Sequence, residues 1–139
     1  MERRLVYLLV HLTFENEKNS LNLAEVYDQL DEPLGRLISI WKQYGMSVEW
    51  ASKMEEVRKK RNWVVHKCVE DRKYEIKKDP SAFIIELEGI TNLFHQITTD
   101  LDCEIEGIVQ SVCKTRGLDR TALAALAKKR ASEIAKPRQ

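Results

Sequence analysis

Residues 79–114 read DPSAFIIELEGITNLFHQITTDLDCEIEGIVQSVCK, and the spacing within this stretch decides the fold. Phe83, Leu87, Ile90, Phe94, Ile97, Leu101, Ile105, Ile108 and Val112 recur at steps of three and four. That is the period of one helix face and not the alternation of a strand. Asp79 and Pro80 suit the N-terminus of such a helix. A helix this long cannot hide its apolar stripe alone. It needs neighbours, so the expected fold class is all-α, an antiparallel bundle of about four helices.

Working outward, the same period covers most of the chain. A first helix is expected over residues 2–14, where LVYLLVHLTF at 5–14 also makes a weak case for a strand, followed by the polar break ENEKNS. A second begins after Ser20 and runs towards Gly45, with Pro33 starting a new helical stretch or kinking the old one. The third opens at Ser47, whose hydroxyl can cap it, and continues through His66. Its stripe falls at Trp50, Met54, Val57, Val64 and Cys68, and Arg61 occupies the missing place. Beyond Gly117, an Asp119 cap and the run DRTALAALAKKRASEIAK predict a short fifth helix before a basic tail. The expected organisation is a bundle over 1–115 and a basic C-terminal helix and tail over 116–139.

With 139 residues, 43% hydrophobic and 32% charged, the chain fits one domain around a single core. A formal net charge of +1 gives no overall field towards nucleic acid or an anionic membrane, so any such attraction must come from clustering. From Lys114 to the end, eight basic residues face Asp119 and Glu133, which leaves the preceding body net acidic. Within that body the densest positive spot is Arg58 to Arg61. Three cysteines, Cys68, Cys103 and Cys113, show no CxxC or zinc-type pairing, and no cleavable signal pattern is visible, so the reading is reduced buried thiols in the cytoplasm. The most apolar run, broken by His11, is far shorter than the roughly 20 residues a spanning helix needs, which argues against a membrane partner. No Gly-rich phosphate loop, nucleophile elbow or acidic metal cluster is visible, so neither metal nor cofactor is expected.

RKKRNWVVHK at residues 58–67 carries the chemistry. In an ideal helix, residues five apart are separated by about 140° and roughly 7.5 Å of rise. Arg61 and His66 therefore flank a groove and do not point at one atom. Asn62, four residues before His66, lies on the histidine's side as a positioning partner. A second copy of this helix would let two arginines and two histidines converge on one phosphate. Histidine as a residue type exchanges protons near neutrality, so it can serve a ribose 2′-hydroxyl or a leaving 5′-oxygen without a metal. Arginine keeps its charge, and its fork matches phosphate oxygens. Arg58, Lys59, Lys60 and Lys67 would hold flanking RNA phosphates.

RNWVVH at residues 61–66 resembles the Arg-x4-6-His motif of HEPN domains, with a polar residue after the arginine and aliphatic residues before the histidine. The resemblance covers residues 20–114. It implies a four-helix bundle that dimerises with its motif helices facing each other, and a metal-independent endoribonuclease of the kind found among toxins and antiviral effectors. By position, Arg61 and His66 would be catalytic and Asn62 supportive, with RNA as substrate and an antitoxin or regulator as a further partner. Toxins paired with nucleotidyltransferase antitoxins commonly carry a tyrosine two residues after the histidine, where this chain has Cys68. The alternative within the family is a non-catalytic dimerisation or RNA-binding module. A plainer alternative makes Arg61 and His66 structural, within an adaptor interface. His11 is expected to be a satisfied core or interface residue and His95 a flank residue. Trp41, Trp50 and Trp63 are read as core or interface residues, with base stacking as the alternative.

Overall fold

A computed structural model describes residues 1–15 and 33–134. Within them lie seven helices and no strand, so the all-α expectation holds and the strand case for 5–14 is set aside. The helices are α1 (Glu2–Glu15), α2 (Pro33–Gln43), α3 (Val48–His66), α4 (Cys68–Asp71), α5 (Lys73–Lys78), α6 (Ser81–Arg116) and α7 (Arg120–Ile134). The polar break after α1, the start of the second expected helix at Ser20 and the end of the basic tail fall outside the described residues. None of the described helices is long and apolar enough to cross a membrane.

The chain gathers into two compact units, Met1–Met46 with Leu101–Gln139, and Ser47–Asp100. In the first, α1 packs against α2 and α7. Leu5, Leu8, Leu9, Val10 and Phe14 of α1 are buried, as are Leu34, Leu37, Ile38, Ile40 and Trp41 of α2 and Leu123 and Ala127 of α7. The C-terminal part of α6 buries Leu101, Ile105, Val109 and Val112. The helix that the sequence sets apart with the basic tail thus belongs to the same unit as α1. Gly45, at φ 91, ends α2 with two bonds that reach back along the helix, Met46 N–H to the Trp41 carbonyl and Gly45 N–H to that of Lys42, both 3.2 Å. This pattern needs a left-handed residue at the glycine position.

The second unit holds the motif. Ser47 caps α3 by accepting the Trp50 N–H at 3.2 Å, and Trp50, Met54 and Val57 are its buried stripe. α3 ends at His66 as the sequence predicts. Helix-type bonds nevertheless run on through the next residues, from Lys67 N–H to the Trp63 carbonyl and from Asp71 N–H to that of Lys67. The backbone leaves helical values at Lys67 (φ −131) and Arg72 (φ −111), which divides α3, α4 and α5. At the start of α6, the Asp79 carboxylate accepts the Ser81 N–H at 3.0 Å. That bond holds the Asp79 carboxyl below its ordinary range. Ile90 and Ile97 continue the α6 stripe as buried residues.

Candidate nucleic-acid interface

Along α3, the sequence-predicted residues separate into two groups. Arg61 is half-buried and takes the place in the stripe that its spacing assigns, after Met54 and Val57. Lys59, Lys60, Asn62, His66 and Lys67 are exposed. Arg58 is half-buried and donates to Glu55 at 3.1 Å, so part of its charge is met within its own helix.

Lys59 and Lys60 line a cleft of about 710 Å³ whose walls come from α3, the α4–α5 junction and the start of α6. Ser52, Glu55, Glu56 and Trp63 complete the α3 wall, and Arg72, Glu86 and Ile90 line the cleft from the α4–α5 junction and α6. Arg58, Arg61, Asn62, His66 and Lys67 are not part of this lining. His66 follows Trp63 by three residues, so it stands about one turn further along the same side of the helical path.

Trp63 is the fixed point of the cleft. Its indole Nε1 donates to the Asp71 carboxylate at 2.8 Å. The Arg72 guanidinium lies over the ring, 5.2 Å from its centroid, and donates twice to Glu86, from Nε and Nη2, both at 3.0 Å. A two-pronged arginine–carboxylate contact fixes direction as well as distance. The Arg72 hydrogen bonds hold the Glu86 carboxyl below its ordinary range, and Glu86 in turn raises Arg72. Both members stay charged at neutral pH.

The sequence reading missed Asp71, Arg72 and Glu86. In an unbroken helix Trp63 and Asp71 would stand about 12 Å apart along the axis, and no simple spacing links them. The departure from helical backbone at Lys67 brings them within reach. Glu86 meets Arg72 only because α6 returns beside the α4–α5 junction, a tertiary fact with no local signature. The tryptophans also divide: Trp41 and Trp50 are 4% and 8% exposed, as core residues should be, whereas Trp63 is half-buried at the cleft.

The remaining expectations need two corrections. Cys68 is buried and donates to the Val64 carbonyl, but Cys103 is exposed and Cys113 half-buried, because their positions on α6 fall beside the apolar stripe. His11 is in the core, at 0% exposure, but it is not satisfied. Its Nδ1 pairs with the Tyr7 carbonyl at 2.7 Å while Nε2 has no partner. His95 is exposed on α6.

No protein-family model, curated protein or solved structure matches this chain.

Proposed function

We propose that this protein is a metal-independent endoribonuclease of HEPN type, a four-helix arrangement acting as a homodimer with a composite active site. The observation that carries the reading is the exposure of His66 one turn beyond a cleft bearing Lys59, Lys60 and Trp63, with Asn62 also exposed on the same helix. Side chains that only stabilised the bundle would gain nothing from that exposure. Arg61 sits about 140° around the helix from His66, so one copy cannot close both on a single phosphate. A second copy supplies the missing half. Val65 and Val69, each 64% exposed, flank the histidine and give that copy an apolar surface to cover.

In this reading, one His66 takes the proton from a ribose 2′-hydroxyl and the 2′-oxygen attacks the adjacent phosphorus. The bond from phosphorus to the 5′-oxygen breaks, and the partner copy's equivalent of His66 gives that oxygen a proton. The products are a 2′,3′-cyclic phosphate and a 5′-hydroxyl. The two arginines stabilise the extra negative charge of the pentacoordinate phosphate. Asn62 orients the histidine or the ribose. An activity of this kind suits a toxin or antiviral effector, restrained by an antitoxin or another regulatory protein.

The alternative is a non-catalytic bundle that dimerises or binds RNA, favoured by the same exposed valines if the chemistry is absent. Arg61→Ala separates the readings. A catalytic Arg61 predicts loss of cleavage by two orders of magnitude or more with the dimer intact, about the cost of removing one transition-state donor. An interface role predicts a shift from dimer to monomer in sedimentation.

A further inference from the structure

We infer that the cleft between α3, the α4–α5 junction and α6 is a subsite for single-stranded RNA, with one base stacked on Trp63 and the adjoining phosphates held by Lys59 and Lys60. This deepens the ribonuclease reading and rests on its identification of RNA as the substrate. Three observations carry it.

The first is that the indole is locked. Asp71 holds its nitrogen and Arg72 covers one face, with Arg72 itself fixed by Glu86. An aromatic ring already ordered loses little freedom when a base stacks on it. With its nitrogen and one face committed, the ring can offer the cleft only its remaining apolar surface. Base stacking suits such a surface because every base has a π-face.

The second is the charge around the cleft. Glu55 is met by Arg58 and Glu86 by Arg72. That leaves Lys59 and Lys60 as the exposed cations of the α3 wall, in a lining whose three cations and three carboxylates balance. Lys59 and Lys60 precede Trp63 by four and three residues, which puts all three on neighbouring positions of one helix face.

The third is continuity with the proposed chemistry. His66 lies one turn beyond Trp63, so a strand laid along Lys59, Lys60 and Trp63 runs towards the histidine. The cleft, at about 710 Å³, has room for a nucleotide. Its occupant sets which nucleotide neighbours the cut and not whether the cut occurs.

The test uses the full-length chain carrying His66→Ala, so that RNA survives the measurement, and a short single-stranded RNA alongside an abasic oligonucleotide of the same length and charge. The expected result is preference for the RNA, with tryptophan emission quenched as it binds. Trp63→Leu is expected to weaken RNA binding by roughly 5- to 150-fold, the range for losing one stacked base, and to leave the abasic oligonucleotide unaffected. Trp63→Phe, which keeps a ring in place if the leucine variant folds poorly, is expected to retain most affinity and to lose the quenching. Joint replacement of Lys59 and Lys60 by alanine should weaken both ligands and lower the salt slope by about 1.4, two single-strand phosphate contacts at about 0.7 each. Equal binding of RNA and abasic ligand, or RNA affinity unchanged in Trp63→Leu, overturns the subsite. Failure of the His66→Ala chain to bind RNA overturns it too. Cleavage by the parent with unchanged Trp63→Leu binding would overturn the subsite and leave the ribonuclease standing, whereas Trp63-dependent binding without cleavage would do the reverse.

Discussion

At the scale of single residues, His11 shows most clearly what burial does to a polar group. Its Nδ1 must be the protonated nitrogen, because the Tyr7 carbonyl can only accept, so Nε2 is a bare acceptor in an apolar interior. Burial pushes its pKa below histidine's ordinary value of 6.5, opposed by the Tyr7 bond. Protonation would add a charge with no acceptor beside Phe14, whose ring already faces the Arg116 guanidinium of α6 and the Arg130 guanidinium of α7. The buried side chains of α2 are apolar and offer no counter-charge. The unfolded chain therefore binds the proton more readily than the folded one. Stability should fall as pH drops below about 6.5, by at most about 1.4 kcal/mol per pH unit from this group. His11→Leu should flatten the dependence of thermal midpoint on pH between neutrality and the range where carboxylates titrate, as followed by circular dichroism. An unchanged slope in that variant would assign the effect to another group. The position of His11 was legible from the apolar run around it. Its missing partner was not, since periodicity reports which face a residue occupies and nothing of what meets its nitrogens.

Among the elements, α3 shows the strongest agreement between sequence and structure. Ser47 before a stripe at Trp50, Met54 and Val57 sets its start, and His66 is its last residue. Ser47→Ala should cost about 1 kcal/mol, the usual loss for an N-cap, read as a lower urea midpoint at unchanged slope. Gly117 makes a parallel case at the end of α6, where φ is 65 and the Leu118 N–H returns to the Cys113 carbonyl at 3.1 Å. Gly117→Ala has open space for its methyl group, so its destabilisation, also about 1 kcal/mol, should come from backbone strain alone. The short helices α4 and α5 were illegible for a physical reason. KCVEDRKYEIKK, at 67–78, is dominated by charge and carries too few apolar residues to declare a period. Its backbone bonds continue those of α3, and the bend at Arg72 stands where that residue pairs with Glu86 of α6. The bends at Lys67 and Arg72 build the cleft, so the part of the candidate site that depends on them lay beyond reach of spacing, while Arg61, Asn62, His66 and the lysines did not.

For the whole molecule, a net charge of +1 means that the proposed RNA substrate would have to be drawn by local fields and not by the protein as a whole. Helical class and the long α6 were fixed by one periodic stretch, because a stripe sustained over many turns admits few other folds. Assembly is a different matter, since a face waiting for a second copy looks in sequence like any exposed patch. If Val65 and Val69 face a second copy, Val69→Glu should leave helicity unchanged, convert dimer to monomer in sedimentation, and abolish cleavage together with assembly. A dimer that persists would move the interface elsewhere. The most direct measurement of the proposed chemistry is cleavage of total cellular RNA in excess chelator by the parent chain and by His66→Ala brought to the same helicity. Cleavage by the parent alone, leaving 2′,3′-cyclic phosphate ends, is the expected result. Absence of cleavage by either at concentrations where the dimer is formed, or equal cleavage by both, would contradict a ribonuclease built on His66.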